Sequence, residues 1–349
     1  MVVRWAASLC ILGLLVPAAA RGQRGSITGV VVARETNEPL AYSIVAIAAA
    51  GREQFTTDSG TFTIGDLPAG PVRLTVRRLG FSPAEVTVQI TEGATHVVIP
   101  LTRIAVQLGA VTVRAHPPCT APGPPSDSGN ATLATLFMQL RMNAEQFRML
   151  TAQYPFISAM DARRIHKAPG RDPTEVGRSV IPVASERDQW AYQPGRVVTR
   201  TPLGNDYIFN IPTLVQFADP RFLAEHCFHY AGIDTINDVP AIRIDLIAAE
   251  RLRAPDVSGS LFLDPDTYQI RRSVLRLTRF PPVRGLNGFV VMTEFDEALE
   301  SVPVISHVFS TQSFDTTRSR RQEAVYEDWR LIGVKWVGKK PGQDTPKAP

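Results

Sequence analysis

Residues 57–64 read Thr-Asp-Ser-Gly-Thr-Phe-Thr-Ile and carry the clearest structural signal in the first third of the chain. The Asp-Ser-Gly tripeptide at 58–60 favours a tight turn, because glycine tolerates positive φ and short polar side chains bond to the turn backbone. After it, Phe62 and Ile64 alternate with threonines, which is the period of a strand with one buried face. This stretch therefore predicts a hairpin, closed at 58–60, whose second strand buries Phe62 and Ile64.

Short β-branched runs continue on both sides of this stretch, separated by turn residues such as Leu-Pro-Ala-Gly at 67–70. A spacing of roughly ten residues between such runs is typical of small β-sandwiches. We predict a sandwich of about seven strands over residues 24–113, in which Leu74 and Val76 pack opposite the two buried residues named above. The runs lie at 26–32, 43–47, 54–57, 61–64, 72–76, 85–88 and 96–99.

The order of these elements resembles the carboxypeptidase regulatory-like domain. The resemblance rests on Gly-Val-Val at 29–31, Pro-Leu-Ala at 39–41, the 57–64 stretch, Leu-Pro-Ala-Gly at 67–70 and Leu-Gly-Phe-Ser-Pro at 79–83. It implies a prealbumin-like sandwich of the carbohydrate-binding-like fold group, and such a domain is usually an accessory without activity of its own. A generic immunoglobulin-like sandwich is the alternative.

The first 22 residues have the three parts of an export signal. Arg4 precedes a mostly apolar run at 5–16, Pro17 breaks that run, and small residues follow at 18–22. The run is too short to span a bilayer, which needs about 20 helical residues. We predict a signal peptide at 1–22 and an exported protein that is periplasmic or associated with the outer membrane, with peripheral membrane association at most. A retained anchor is the alternative.

Two cysteines remain once Cys10 is removed with the signal peptide. In an oxidising compartment a disulfide between Cys119 and Cys227 is favoured. Such a bridge requires Cα atoms within about 7 Å of each other. Two unpaired thiols are the alternative.

A linker and a helix follow the predicted sandwich. Residues 114–130 are rich in proline and glycine, which is typical of linkers. The segment 131–151 then predicts a helix with Asn130 or Ser128 as its N-cap, because its apolar residues recur near the 3.6-residue period. These apolar residues are Leu133, Leu136, Phe137, Leu140, Ala144, Phe147 and Leu150.

The segment 105–113 resembles the one that follows this sandwich in TonB-dependent outer-membrane receptors. Too few residues follow it for the plug and barrel of such a receptor. We interpret it as an edge strand that leads into the linker.

Strand-like runs dominate from residue 156 to residue 337. The alternation at Ile242, Ile244 and Leu246 predicts a strand with one buried face, and Asp-Pro-Asp-Thr at 264–267 predicts a hairpin turn. We predict a mainly β, α+β architecture: after the sandwich, residues 131–338 form a curved antiparallel sheet with the helix packed on it. A disordered tail at 339–349 is expected after it. The clearest runs lie at 206–211, 241–247, 259–264, 268–277, 289–295 and 304–309.

The run at 258–272 is similar to a hairpin of lipoprotein-carrier-like half-barrel envelope proteins. Some proteins that pair this hairpin with an N-terminal regulatory-like sandwich also have one cysteine before the helix and another in the sheet. The resemblance implies a concave sheet face that can hold a hydrophobic ligand.

The sequence contains no catalytic motif that we recognise. His-Cys-Phe-His at 226–229 is a dense group of metal-capable side chains, but alternate residues of a strand point to opposite faces, so the two histidines are poorly placed to share an ion. Zinc-type spacings, a nucleophile elbow and a phosphate loop are missing from the sequence. We therefore expect no catalytic residue, no cofactor and no metal.

The charge pattern argues against a nucleic-acid partner, because the net charge of +4 arises from interspersed acids and bases. The sequence thus predicts a non-catalytic envelope protein that binds polysaccharide, lipid or another envelope protein, with Trp190, Tyr192 and Trp329 as candidate ligand contacts. Two alternatives stay open: a hydrophobic-ligand carrier that uses the concave sheet face, and an enzyme whose site has no linear motif. Exposed aromatics in a groove, an apolar cavity and a polar pocket would distinguish the three.

Overall fold

The computed structural model describes residues 24–105, 118–185, 190–201, 207–299, 302–315 and 322–338. The predicted signal peptide, most of the 105–113 segment, the first residues of the predicted linker and the predicted tail lie outside the described residues. Residues 24–101 form seven strands in two sheets, with strand orders β4-β1-β7 and β3-β2-β5-β6. Their bounds are β1 (Arg24–Ala33), β2 (Ile44–Ile47), β3 (Arg52–Phe55), β4 (Thr61–Pro68), β5 (Gly70–Arg77), β6 (Ala84–Ile90) and β7 (Gly93–Leu101).

The two sheets enclose one apolar core. Phe62 and Ile64 of β4 and Leu74 and Val76 of β5 are all buried in it. Because β4 and β5 belong to different sheets, these pairs face each other across the sandwich. The predicted sandwich and its predicted core residues are confirmed.

The turn at 58–60 is present, but the hairpin predicted around it is wrong. The Gly60 N–H donates to the Thr57 carbonyl at 2.9 Å, and Gly60 has a φ of +70°. The strands on either side of the turn nevertheless belong to different sheets, since β3 pairs with β2 and β4 pairs with β1. Turn chemistry specifies only a local reversal of the chain, whereas the strand partners are set by the packing of the two sheets.

Beyond the sandwich, the described residues are built on one nine-stranded antiparallel sheet, with strand order β12-β13-β14-β15-β16-β17-β18-β8-β9. The β8–β9 hairpin thus pairs with β18. A separate short pair, β10-β11, lies between β9 and β12 in the sequence. The bounds are β8 (Phe156–Lys167), β9 (Thr174–Ala184), β10 (Val198–Arg200), β11 (Tyr207–Phe209), β12 (His226–Ile236), β13 (Val239–Ala248), β14 (Val257–Leu263), β15 (Ile270–Leu277), β16 (Leu286–Leu299), β17 (Val302–Asp315) and β18 (Gln322–Trp336).

Within the described residues, two α-helices accompany the sheet, the long α1 (Asp127–Gln153) and the short α2 (Pro220–Leu223). Asn130 interrupts α1 with φ −159° and ψ 96°, and its Oδ1 accepts a hydrogen bond from the Leu133 N–H at 2.9 Å. The regular helix therefore begins after Asn130, which caps it as predicted. Its apolar side, including Leu136 and Leu140, is buried in the core under the sheet.

The turn at 264–267 also forms as predicted. The Asp264 Oδ1 accepts hydrogen bonds from the backbone N–H groups of Asp266 (3.0 Å) and Thr267 (2.9 Å). The turn connects β14 to β15, which pair with each other.

The described part of the predicted linker is attached to the sheet. Cys119 and Cys227 form a disulfide with a Cα–Cα distance of 5.6 Å, which agrees with the predicted pairing. Close by, the Gly123 N–H donates to the His226 carbonyl at 3.0 Å. Residues 119–123 are thereby held to the edge strand β12.

Helix α1 also contacts the sandwich, through a side that is polar yet buried. The Gln139 Oε1 accepts a hydrogen bond from the Gly80 N–H at 2.8 Å, and Glu145 forms an ion pair with Arg77 at 2.9 Å. The helix therefore lies between the sandwich and the sheet.

Candidate functional site

A cavity of about 570 Å³ lies between the helix-facing side of the nine-stranded sheet and the segment 207–213. We call it the sheet cavity. Its walls come from β8, β9, β16, β17 and β18, from Phe147 of α1 and from Trp190. The apolar members of the lining include Phe156, Met160, Val183, Phe209, Ile211, Phe289, Val291, Val304, Val308 and Trp329.

Strand alternation explains which side chains reach the cavity. On β16, Phe289, Val291 and Thr293 line it, so the residues between them project from the opposite face of the sheet. Val290, for example, is 43% exposed, whereas Val291 is 3% exposed.

Aromatic packing holds the segment above the sheet. The ring of Phe209 in β11 stacks on the ring of Phe289 in β16, with centroids 4.2 Å apart and an interplanar angle of 11°. This contact fixes one wall of the cavity to the other.

One end of the lining is polar. Arg164 of β8 and Glu327 of β18 are cross-strand neighbours, and the Arg164 Nη2 lies 3.5 Å from the Glu327 Oε1. Both side chains are partly exposed, and Gln312 of β17 contributes an amide to the same lining. The cavity thus combines an apolar interior with a charged, solvent-accessible rim.

Two of the three predicted ligand-contact aromatics line this cavity, namely Trp190 and Trp329. Tyr192 does not, and its prediction as an exposed contact is corrected. Its side chain is completely buried, its ring packs edge-on against Phe222, and its hydroxyl donates a hydrogen bond to Asp256. Burial, followed by the charge of Asp256 and this hydrogen bond, raises the pKa of Tyr192.

Three aromatic side chains of the lining, Phe147, Phe209 and Phe289, are not among the ligand contacts predicted from the sequence. Phe147 was read as part of the helix stripe and Phe289 as part of a strand, which is correct but does not reveal the cavity. Phe209 of β11 was likewise read only as part of a strand. Only the position of β11 over the sheet brings these residues together.

The 226–229 segment lies on β12, with its two histidines in different environments. His226 is fully buried, and its ring nitrogens lie 2.7 Å from the Phe222 carbonyl oxygen and 3.0 Å from the Val257 carbonyl oxygen. His229 is partly exposed and lies three positions after His226, and this odd spacing places it on the other face of the strand. Within the described residues, no group of three or more His, Cys, Asp or Glu side chains could hold a metal ion.

The described part of the chain contains no helix with the length and apolar character needed to cross a membrane.

Comparison with known families identifies the first unit. Residues 26–102 match the family model of the carboxypeptidase regulatory-like domain, so this part of the chain is such a domain, as the sequence motifs indicated. No curated protein matches the chain.

Similar solved structures have low identity and low TM-scores. A putative outer membrane lipoprotein-sorting protein domain from Vibrio parahaemolyticus has 8% identity and a TM-score of 0.29, with 56% of this chain and 95% of that chain covered. A LolA superfamily protein from Nitrosomonas europaea has 10% identity and a TM-score of 0.29, with coverages of 60% and 97%. A putative carbohydrate binding protein from Bacteroides uniformis has 10% identity and a TM-score of 0.22, with coverages of 74% and 100%.

Proposed function

We propose that this chain is a non-catalytic, exported envelope protein that binds a lipid or a similar amphiphile in the sheet cavity. The observation that carries the proposal is the apolar and aromatic lining of a cavity of about 570 Å³. Of the partner classes that the sequence leaves open, lipid fits this lining best, because most of the lining side chains are apolar or aromatic.

The size and lining of the cavity fit an acyl chain. Small-molecule sites commonly have volumes of about 300 to 1,000 Å³ and mostly apolar walls. Each methylene group transferred from water into such a site contributes about 0.8 kcal/mol. A chain of several carbons can therefore bind without any specific polar contact in the interior.

The polar rim gives the ligand an orientation. Arg164, Glu327 and Gln312 can satisfy a charged or hydrogen-bonding headgroup while the apolar part lies against Phe289 and Val308. An amphiphile with one polar end matches this distribution better than a uniformly apolar molecule does.

The lining supports binding more than catalysis. The charged side chains in it are Arg164 and Glu327, which lie against each other. The other polar residues are mainly hydroxyl and amide side chains, and no histidine or cysteine is among the lining residues. A nucleophile next to a general base, which covalent catalysis requires, is missing from this set. Export is supported by the N-terminal signal pattern, and the regulatory-like domain is proposed to be an accessory unit.

A cavity-filling substitution tests the proposal. Val308→Trp places an indole in the sheet cavity, whereas Val290→Trp places the same side chain on the opposite face of the neighbouring strand. Binding of dansyl-undecanoic acid, followed by direct excitation of the dansyl group, is expected to weaken at least tenfold in Val308→Trp and to stay within about twofold in Val290→Trp.

Circular dichroism must show that both variants keep the wild-type spectrum. If the wild-type protein does not bind the probe, or if a folded Val308→Trp variant binds it as tightly as the wild type does, the cavity is not a lipid site.

A further inference from the structure

A second cavity, of about 580 Å³, lies in a cleft between the sandwich, α1 and the segment 215–221. It shares no lining residue with the sheet cavity. Four arginines line it: Arg77 of the sandwich, Arg141 and Arg148 of α1, and Arg221 of α2. We call it the arginine cleft.

The two carboxylates of the cleft are already engaged. Glu145 forms an ion pair with Arg77 at 2.9 Å. Asp219 accepts hydrogen bonds from the backbone N–H groups of Arg221 (2.8 Å) and Tyr192 (3.3 Å), so it caps α2. Neither carboxylate neutralises the remaining arginines through an ion pair.

Arg141, Arg148 and Arg221 are exposed, and none of them forms an ion pair with another residue of the described ranges. Among the described residues, the lining of the cleft therefore holds an excess of positive charge, with four arginines against two carboxylates. Exposed groups of like charge that line one cleft repel each other, and a bound anion relieves this repulsion.

The positions of the three arginines suit several negative charges in a row. Arg141 and Arg148 are seven residues apart, which places them on one side of α1 at a separation of about 10 Å along its axis. Arg221 adds a third guanidinium from α2, a different element. Each guanidinium offers a planar fork of donors that matches a carboxylate.

The rest of the lining narrows the chemistry of the occupant. Ala144, Ala191 and Ala218 are small and leave room for close approach, and the lining contains no aromatic side chain against which an acyl chain would pack. Of the described strands only the end of β5 contributes to the lining, and β5 already pairs with β2 and β6, so an extended peptide would find few backbone partners. A flat membrane surface cannot enter a concave cleft.

We propose that the arginine cleft binds a short acidic oligosaccharide, whose repeated carboxylates pair with Arg141, Arg148 and Arg221 and whose hydroxyls accept the remaining guanidinium hydrogens. This site is separate from the proposed lipid site, and it is built jointly by the sandwich, α1 and α2.

Calorimetric titration of the full-length mature protein with tetragalacturonate tests this. The triple variant Arg141→Gln, Arg148→Gln, Arg221→Gln should bind at least tenfold more weakly than the wild type. A control triple variant, Arg171→Gln, Arg276→Gln, Arg279→Gln, loses the same charge from exposed positions outside the cleft and should stay within about threefold. Wild-type binding should weaken as salt is added, because exposed charge pairs are screened.

Three further titrations separate the alternatives. A neutral tetrasaccharide, tetraglutamate and phosphatidylglycerol vesicles should all bind the wild type more weakly than tetragalacturonate does. Equal binding of any of them, equal loss in the two triple variants, or no binding of tetragalacturonate would overturn the proposal. Dansyl-undecanoic acid should bind the cleft variant normally, so failure of this site and failure of the lipid site can be told apart.

Discussion

The hydroxyl of Tyr192 has a structural role that the residue type alone does not predict. It donates to Asp256, and both side chains are completely buried. The Asp256 Oδ1 also accepts from the Val257 N–H at 2.8 Å and lies 3.5 Å from the His226 Nε2. Removal of the hydroxyl leaves a buried carboxylate oxygen with one partner fewer.

Tyr192→Phe is therefore expected to lower the free energy of unfolding by about 1 to 3 kcal/mol, since an unsatisfied buried acceptor costs that much. Urea denaturation followed by circular dichroism measures the change. Tyr230→Phe is the matched control, because the Tyr230 hydroxyl is buried without a hydrogen-bond partner in the described structure. Equal losses in the two variants would contradict this role of Tyr192.

The same residues show what a sequence can and cannot reveal about the site. Trp190 and Trp329 were predicted as contacts from their type alone, and both line the sheet cavity. Tyr192, only two positions from Trp190, points elsewhere because its partner Asp256 lies 64 positions further along the chain. A contact of that separation leaves no local pattern.

At the scale of elements, a row of charged side chains crosses the face of the sheet opposite the cavity. Arg272 of β15 donates to Glu294 of β16 at 3.1 Å. The ring nitrogens of His307 in β17 lie 3.0 Å from the Glu294 Oε2 and 2.8 Å from the Asp328 Oδ1 of β18. Cross-strand pairs of this kind stabilise a sheet.

Because of this row of charges, the free energy of unfolding depends on pH in the acidic range. Burial raises the pKa of Glu294 and of Asp328, but hydrogen bonds and charges from His307 and from neighbouring arginines outweigh it, so both pKa values are lowered. The unfolded chain then binds more protons than the folded one, and the stabilisation is lost as the pH falls below the ordinary values of 4.5 and 3.8.

Glu294→Gln should therefore cost about 1 kcal/mol at pH 7 and flatten the fall in stability between about pH 5 and 3. Urea midpoints at a series of pH values measure this. Asp266→Asn, an exposed turn residue outside the row, should keep the wild-type slope. A Glu294→Gln variant with an unchanged slope would show that the row does not control acid stability.

Some elements were predicted better than others for physical reasons. Helix α1 and β14–β15 have strong periodic patterns, and both formed as predicted. Strand β9 was not singled out, because residues 174–180 are all exposed and give no alternation between buried and solvent faces. The prediction that β3 and β4 pair with each other is wrong, because the turn between them is encoded locally, whereas the choice of partner strand depends on residues far away in the sequence.

At the scale of the whole molecule, the disulfide joins the segment before α1 to the edge of the sheet. It closes a loop of 108 positions that includes α1, β8 and β9. In the chain-entropy account, a loop of this length contributes up to about 4 to 5 kcal/mol, because it restricts the unfolded chain.

The Cys119→Ser, Cys227→Ser double variant should thus unfold at a lower temperature than the wild type, and reductant should move the wild type towards the variant. Thermal unfolding with and without reductant provides the measurement. Reductant should leave the variant unchanged. Coincident wild-type and variant transitions would argue that the bridge adds no stability.

The division of the chain into a sandwich at 24–113 and a second unit at 131–338 remains our proposal for its organisation. The two units are nevertheless in contact, because the polar side of α1 packs against the sandwich. Gln139 and Gln146 are each 1% exposed, although their residue types would place them in solvent, and they bond to Gly80 and Tyr42 of the sandwich. The sequence could not show this burial, since it does not reveal that the sandwich covers that side of α1.

The position of β18 between β17 and β8 has a consequence for the order of folding. The β8–β9 hairpin is synthesised long before β18, its neighbour in the sheet, and Arg163 and Asp328, which pair across that boundary, are 165 positions apart. Closing such distant contacts costs chain entropy before it gains any packing, which slows folding. An emerging chain of this kind keeps an unpaired edge on β8, and an incomplete cavity wall, until β18 has been synthesised.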